Sequence, residues 1–371
     1  YFSKLRIVLV SLLTLLFIYI TLSNFQNPEN SLISKRINLG LDLQGGSYLL
    51  LEIDNEPVEI QKLQNTTTII RNYLKDKKVD FTDLRIKDKS IFFNVSERNS
   101  ETVKLFFSDK ESEINPYYNQ YKSHQFDLII QKNEFKLTLS KYGLIEIKTS
   151  SQDQAIEIVR RRVDEVGTNE PNILKRGNNR ILVELPGLDD PMRIKSLLGK
   201  TANLTFRFVT QNSNDSFGVE TLQFEDDSKE VLVSKRIILS GENLLDAQPQ
   251  MDNQSNETVV SFTLDRVGAK RFGKATSTGV GKQLAIVLDG KIVSAPVIRD
   301  AIVSGSGQIS GNFTFQSATD LALLLRSGAL PAPLNIIEER TVGPDLGQDS
   351  INAGIFALLI GFLLVILFMF F

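Results

Sequence analysis

The chain of 371 residues contains no cysteine and a single histidine, His124. Without cysteine it can form no disulfide, no thiolate metal site and no thiol nucleophile. This composition suits an oxidising periplasm, where stray thiols are a hazard, although cytosolic proteins can also lack cysteine. A lone histidine surrounded by tyrosines is more often a packing or surface residue than a ligand.

An excess of charge is also missing, with 42 basic and 44 acidic side chains and a net charge of -2. Because nucleic-acid binding needs a basic surface, we expect no nucleic-acid partner. Residues 278–283 resemble a phosphate-binding loop but lack its first glycine and its Ser or Thr after the lysine. Neither a Gly-x-Ser-x-Gly elbow nor a histidine-rich metal spacing occurs. We therefore expect no enzymatic activity, metal or cofactor.

Two long apolar runs lie at the two extremes of the sequence, at 5–22 and 353–371. A transmembrane helix needs about 20 apolar residues, so each run predicts one. Since the second run stops at the last residue, we expect a fragment of a multi-pass membrane protein. Lys4 and Arg6 favour a cytoplasmic N-terminus, which puts the intervening loop across the membrane. A signal peptide is the alternative for the first run, but no small-residue cleavage site follows it.

An internal repeat organises the loop. Residues 67–107 resemble residues 156–198, and each stretch predicts a helix, a strand, a polar turn, a second strand and another helix. Flanking strands complete a βαββαβ pattern twice, which predicts an α+β fold with ferredoxin-like repeats. The predicted flanking strands are 47–53 and 126–131 for the first unit, and 144–149 and 202–209 for the second.

Local signals place the ends of the second unit's first helix. Ser151 with Gln154 forms a capping box at its predicted start. Gly167 suits the left-handed position that follows a helix. Gly177-Asn178-Asn179 predicts the tight turn between the two strands that come next.

Residues 211–312 have a different pattern and predict an inserted, mixed α/β head. A polar segment is followed by strands at 231–239, 258–264, 283–288 and 292–297, with Asp289-Gly290 as a hairpin turn. Ser317 with Asp320 then caps a helix that Gly328 ends. The predicted domains are a transmembrane helix at 5–22, a first ferredoxin-like unit at 38–142, a membrane-proximal base at 143–210 plus 313–342, the head at 211–312 and a second transmembrane helix at 353–371.

Two chain crossings are predicted to join the head to the base, near 210–218 and 304–312. Glycines make the backbone of these crossings flexible, and two flexible crossings predict a hinge. The glycines are Gly218, Gly305, Gly307 and Gly311.

Three segments are too unusual to be generic. They are NLGLDLQGG at 38–46, RRRVDEVGTNEP at 160–171 with ELPG at 184–187, and LLLRSGALPAP at 323–333 with EERTVGPDLG at 338–347. Together they resemble the SecD family of bacterial protein-export subunits, relatives of the RND transporters. The resemblance implies partner or structural roles for Asp42, Gln44, Gly45, Gly46, Arg162, Asp164, Gly167, Pro171, Pro186, Gly187, Arg326, Gly328, Gly343, Pro344 and Gly347.

The resemblance also implies a location and partners. The chain would lie in the bacterial inner membrane with a large periplasmic domain, beside SecF and the SecYEG channel. A mobile head would hold an unfolded preprotein, and the proton-motive force would drive its movement to complete translocation. Two alternatives remain open, a static periplasmic scaffold of the Sec complex and an RND-type exporter of small molecules or lipids.

Each of these segments also has a purely structural interpretation. Gly45-Gly46 permits a bend or bulge at the start of a strand. The arginines at 160–162 form a solvated helix face or pair with Glu157, Asp164 or Glu165. The residues from Gly343 to Gly347 shape the linker into the second span.

Overall fold

The computed structural model describes residues 4–23, 45–168, 171–187, 191–210, 218–225, 229–252 and 257–370. They fall into two compact units. One unit contains helix α1 (Lys4–Ser23), residues 185–187 and the C-terminal helix that begins at Pro344. The other unit contains the remaining described residues between Tyr48 and Arg340.

Helices and strands alternate along the chain after α1. In chain order they are β1 (Gly46–Ile53), α2 (Glu56–Asp76), β2 (Phe81–Lys87), β3 (Ser90–Val95), α3 (Glu97–Ser108), β4 (Tyr117–Tyr118), β5 (Ser123–His124), β6 (Phe126–Gln131), β7 (Glu134–Leu139), α4 (Lys141–Val166), β8 (Asn172–Arg176), β9 (Arg180–Pro186), α5 (Pro191–Gly199), β10 (Leu204–Phe208), β11 (Val219–Gln223), β12 (Glu230–Ser234), β13 (Leu239–Ser240), β14 (Leu244–Met251), β15 (Thr258–Leu264), α6 (Arg266–Thr278), β16 (Leu284–Leu288), β17 (Lys291–Ser294), β18 (Ser306–Phe313), α7 (Phe315–Ser327), β19 (Leu334–Val342) and α8 (Pro344–Phe370).

The two terminal helices expose their apolar side chains. Among the described residues, one segment is long and apolar enough to cross a membrane, Asp349–Met369 in α8. The predicted C-terminal span therefore lies in a helix that begins earlier, at Pro344. This corrects the linker expected at 343–347, because Gly347 is inside the helix. Residues 5–22 lie in α1, and their membrane span stays a prediction.

The first globular part is a four-stranded antiparallel sheet in the order β2-β3-β7-β6, packed against α2 and α3. Phe93 and Phe135 pair across β3 and β7 and stack with ring centroids 5.2 Å apart. The expected βαββαβ order is wrong for this part, since β1, its supposed first strand, pairs in another sheet. Without β1, the part is built from two antiparallel hairpins and two helices.

The base sheet has the strand order β19-β1-β9-β8. Its predicted hairpin turn is confirmed, with Gly177 at φ 62° between β8 and β9. The strand expected at 144–149 is wrong, because those residues form the first turns of α4. Residues 143, 147, 151 and 155 are all buried, and this four-residue spacing is that of a helix face.

The ends of α4 show why the predicted helix start was late. Ser140 is its N-cap, and the Ser140 Oγ accepts a hydrogen bond from the Gly143 N–H at 2.9 Å. Ser151, the predicted cap, lies buried in the middle of the helix. The other end is confirmed, with Gly167 at φ 83° in the left-handed conformation.

The head contains two larger sheets, β13-β10-β16-β17 and β14-β15-β18. Phe206, Phe262 and Phe272 lie at its centre, with ring centroids between 5.6 and 6.2 Å apart. Strand β10 was expected in the base, but it pairs with β13 and β16 because Leu204 and Phe206 belong to this head core. The Asp289-Gly290 turn between β16 and β17 is confirmed, with φ values of 50° and 81°.

The glycines expected in a soft crossing at 304–312 lie instead at or within strand β18, which pairs with β15. A Cβ on Gly307 would lie 2.5 Å from the Phe262 ring, and a Cβ on Gly305 (φ 75°) would lie 2.7 Å from the Ala269 Cβ. These glycines allow close packing of the head sheet, so residues 306–313 form a paired strand where an irregular connector was expected. The hinge role of the glycines stays a prediction. Gly218 is exposed to open space, and 211–217 lie outside the described residues.

Candidate functional site: the junction at Arg162

The side chain of Arg162 is buried between the base helices and the chain segments that lead to and from the head. It extends from α4 and is 1% exposed. Its guanidinium donates to the carbonyl oxygens of Leu197 at 2.7 Å, Gly328 at 3.2 Å and Thr201 at 3.3 Å, and also to that of Lys200. The Arg162 Nε also donates a hydrogen bond to the Ser327 Oγ at 3.4 Å.

These acceptors belong to two separate stretches of chain. Leu197, Lys200 and Thr201 end α5 and lead into β10 of the head. Ser327 and Gly328 end α7 and lead back towards β19 of the base. A planar guanidinium with five donors in a fixed fork can hold both stretches at once, which a single point charge cannot do.

Burial has an electrostatic cost at this position. Removal from water lowers the pKa of Arg162 from its ordinary value to about 10, and the negative charge of Asp289 acts in the opposite direction. The pKa stays well above neutrality, so the guanidinium remains charged at physiological pH. The hydrogen bonds to the carbonyl oxygens must offset the cost of removing this charge from water.

Asp289 holds the same crossing from the head side. Its carboxylate accepts hydrogen bonds from the backbone N–H of Asn203 at 2.8 Å and of Ala202 at 3.1 Å, and from the Thr201 hydroxyl. The Thr201 carbonyl accepts a further bond from the Leu330 N–H at 2.8 Å, which ties the outgoing crossing to the returning one. The two crossings are therefore fixed to each other and to α4.

Helix α7 links the junction to the head core. Its buried side chains divide into two sets. One set packs in the head core, and the other packs with Leu197, Ala202 and Val166 at the junction. The first set is Ala318, Leu321, Ala322 and Leu325, and the second is Leu323 and Leu324. Helix α7, predicted as part of the base, is thus shared by both.

Two partly exposed ion pairs flank the buried arginine. Arg326 on α7 contacts Glu165 on α4 at 2.6 Å, and Arg193 on α5 contacts Asp320 on α7 at 2.8 Å. Partly exposed pairs contribute little stability, but they fix how these three helices are oriented. This geometry sets the angle at which the head leaves the base, and it offers no reactive group. Across the residues that the structure describes, no three metal-binding side chains come together.

The remaining predicted site residues are spread over the fold. Gly45 and Gly46 have positive φ values of 72° and 132°, and the Gly45 carbonyl accepts from the Gly187 N–H at 3.0 Å. Pro186 ends β9, Pro171 precedes β8, and Asp164 is exposed on α4. Gly328 caps α7 at φ 92°. Asp42 and Gln44 lie outside the described residues, and Gly343 and Pro344 lead into α8.

The structure corrects the interpretation of the arginine run. Arg160 is exposed and pairs with Glu157 at 3.2 Å, as expected of a solvated face. Arg162, two residues along the helix, points to the opposite side and is buried. A signal was present in the sequence, because Arg162 continues the buried spacing of Ala155, Ile158 and Val159 on α4.

A groove in the head is the second feature of functional interest. A cavity of ≈330 Å³ borders the head core, and its lining includes Phe206, Phe262 and Phe272, whose rings are buried. At its edge Val297 is 51% exposed in an irregular segment after β17.

Comparison with known proteins defines the class. The family models "SecD/SecF GG Motif", "Protein translocase subunit SecDF, P1 domain, N-terminal" and "SecDF, P1 head subdomain" match residues 31–56, 152–211 and 219–332. A crystal structure of SecDF in a super-membrane-facing form is similar with a TM-score of 0.50 and 28% identity, covering 97% of this chain and 38% of that one. The chain is thus of the SecDF type of protein translocase component.

Two relatives identify the family to which the chain belongs. The protein translocase subunit SecD of Rickettsia felis is 38% identical over 379 residues, covering 99% of this chain and 71% of the relative. SecD of Rickettsia bellii is 40% identical over 375 residues, covering 99% and 70%. The chain belongs to the SecD family. Its role lies in protein translocation, and it is a membrane protein.

Proposed function

We propose that the chain is an accessory subunit of the bacterial Sec export machinery that holds a translocating polypeptide on the periplasmic side. Its terminal helices would anchor it in the inner membrane as part of a multi-pass protein. The base, whose strand order β19-β1-β9-β8 supports a ferredoxin-like arrangement, would carry the head. In this proposal the chain catalyses no reaction and takes no cofactor.

The observation that carries the proposal is the apolar groove of the head. An unfolded polypeptide exposes apolar side chains that a folded protein hides, and an apolar groove beside the head core would bind them with little sequence preference. Its open edge at Val297 would admit a chain that is still extended.

Site-specific photocrosslinking tests this proposal. A crosslinking amino acid at Val297 in the full-length protein should capture a stalled preprotein in cells. The same amino acid at Leu105, 66% exposed on α3, serves as the control. Equal capture at both positions, or capture of the Sec channel alone, would contradict polypeptide binding by the head.

We propose SecF and the SecYEG channel as partners, with the open face of the base sheet as the docking surface for SecF. Tyr48 and Leu50 of β1 are partly exposed, and Leu174 of β8, on the other side of β9, is 48% exposed. The Arg340 guanidinium lies over the Tyr48 ring, 5.8 Å from its centroid. Apolar side chains with a charged rim are typical of protein interfaces.

Co-purification tests this surface. Leu174→Asp should reduce recovery of SecF with the full-length protein, because it puts a charge into the apolar part of the contact. Leu105→Asp, also exposed but on α3, should leave recovery unchanged. If the two variants recover the same amount of SecF, the base sheet is not the docking surface.

We propose that the proton-motive force moves the head through other membrane helices of the complex. The apolar stretch from Ile351 to Phe371 contains no acidic or basic residue, so this stretch offers no titratable side chain to a proton relay. In this proposal α8 would transmit to the head a movement that proton flow produces in neighbouring membrane helices.

The junction favours a second candidate, a static scaffold. Arg162 and Asp289 fix the crossings firmly, and β18 is a paired strand where a flexible connector was expected. A moving head would have to pivot about this junction as a unit. RND-type export of small molecules has no comparable support.

A thiol crosslink separates the two candidates, because the chain has no cysteine of its own. Lys200 and Glu225 line one cavity of ≈210 Å³ at the boundary of the crossing and the head. Joining Lys200→Cys to Glu225→Cys with a bifunctional thiol reagent should stall export if the head moves. The single-cysteine variants are the controls, and unchanged export after complete crosslinking would favour the scaffold.

A further inference from the structure

A second groove of the head has a chemistry that differs from that of the apolar groove beside the head core. Its cavity of ≈450 Å³ lies among the end of β10, the segment after β12 and the second half of α6. The floor is apolar, with Phe208, Ile238 and Ala275, and Ile237 at its side is 48% exposed. We call it the basic groove, after the side chains described next.

Three cations line the basic groove. Arg236 comes from the segment after β12, and Arg271 and Lys274 are one turn apart on α6. All three are exposed, and the lining contains no carboxylate. A fourth cation, Lys282, lies over the Phe208 ring, 5.7 Å from its centroid.

These cations have no ion-pair partner within the part of the chain that the structure describes. Arg271 interacts electrostatically with Asp265, the N-cap of α6, whose carboxylate also accepts a hydrogen bond from the Gly268 N–H. In a chain of net charge -2, four cations around one apolar groove are a local concentration of positive charge.

The occupant that fits both properties is an extended polypeptide segment in which acidic residues flank an apolar side chain. The apolar side chain would lie against Phe208 and Ile237. The carboxylates would reach the guanidinium and ammonium groups at the rim, where charge-assisted hydrogen bonds form. A purely apolar segment would leave the cations unpaired, and a basic segment would be repelled.

We infer that the basic groove is a recognition site for acidic segments of the translocating polypeptide. This inference rests on the proposed function and names the substrate class for one site within it. The head would then have two subsites, an apolar groove with little sequence preference and a basic groove that selects charge. Acidic stretches would be retained on the periplasmic side after they emerge.

Photocrosslinking from Ile237 in the full-length protein tests the inference. The probe substrates are stalled preproteins whose exposed segment carries either Asp and Glu or the matched Asn and Gln. The acidic segment should be captured about tenfold more, since three exposed ion pairs of ordinary strength multiply to about that factor. Added salt should reduce the difference, because it screens exposed charges.

Two triple variants give matched controls. Replacing Arg236, Arg271 and Lys274 by Gln should abolish the preference for the acidic segment. Replacing Arg266, Lys270 and Lys291 by Gln removes the same charge from exposed positions of the head outside the groove lining. That variant should keep the preference.

The possible results separate this inference from the proposed function. Equal capture of acidic and amide segments at Ile237 overturns the inference but leaves polypeptide binding intact. Capture of anionic lipid at Ile237 in place of polypeptide also overturns it. Capture at Val297 with none at Ile237 contradicts binding in the basic groove but leaves the proposed function intact. Capture at neither position contradicts both the inference and the proposed function.

Discussion

Replacing Arg162 by methionine should loosen both crossings of the junction. Methionine fills a similar volume but donates no hydrogen bond, so four backbone carbonyls lose their shared donor. The bonds to Leu197, Lys200 and Gly328 are each no longer than 3.2 Å, and each contributes about 1 kcal/mol to stability. The local free energy of opening should therefore fall by about 3 kcal/mol, which corresponds to roughly a hundredfold change in the opening equilibrium.

Hydrogen exchange measured by mass spectrometry on the full-length protein can detect this change locally. The Leu330 N–H donates to the Thr201 carbonyl, which Arg162 also holds. Its exchange should become about a hundredfold faster in Arg162→Met. Peptides from β3 and β7, in the separate first part, should exchange as before.

Arg160→Met is the matched control for this experiment. It removes the same side chain from the same helix, but Arg160 is exposed and bonds only to Glu157. Arg162→Lys should give an intermediate result, because an ammonium can satisfy some of the carbonyls without the fork of a guanidinium. If Arg162→Met exchanged no faster at Leu330 than Arg160→Met, the junction would not depend on the buried charge.

Three further predictions concern the head. Gly307→Val should destabilise the head by about 1–3 kcal/mol, because the added atoms overlap the Phe262 ring. Gly218→Ala, in open space, should leave the stability unchanged, and thermal unfolding measures both variants. Asp289→Ala should cost about 1–2 kcal/mol through the two backbone N–H groups it leaves without an acceptor, and normal exchange at those amides would contradict this. The hydrogen bond from the Gly268 N–H lowers the pKa of Asp265 in the folded protein below its ordinary value of 3.8. The ionised Asp265 therefore stabilises the fold above pH 3.8, and this stabilisation is lost as the pH falls through the lowered pKa. Asp265→Asn should therefore unfold with a weaker dependence on acid below about pH 4, and an unchanged acid profile would refute the role of this cap.

The apolar C-terminal helix and the short-range geometry of the fold could largely be predicted from the sequence. The apolar run at 353–371, the Gly177 and Asp289 turns and the end of α4 at Gly167 all depend on a few adjacent residues. Such features depend on local backbone sterics and hydrophobic length. The partner roles of Asp42 and Gln44 stay predictions, because those residues lie outside the described part.

Sheet membership could not be predicted in the same way. The strand at 46–53 has the same local pattern whichever sheet it joins, and only the packing of its neighbours puts it beside β9 and β19. Residues 144–149 alternate like a strand over a short window, but the contacts of α4 on either side make them helical. The glycines of β18 are typical of a connector until the bulk of Phe262 is known to lie against them.

The sequence alone determined the family, the apolar C-terminal helix and the absence of thiol chemistry, since these follow from residue identity and order. Only the tertiary structure decided the role of Arg162. The charge pattern of 160–162 is that of a solvated face, and two positions along α4 separate the exposed Arg160 from the buried Arg162. The carbonyls that Arg162 binds lie 35 to 166 residues away in sequence, so no local signal could reveal them.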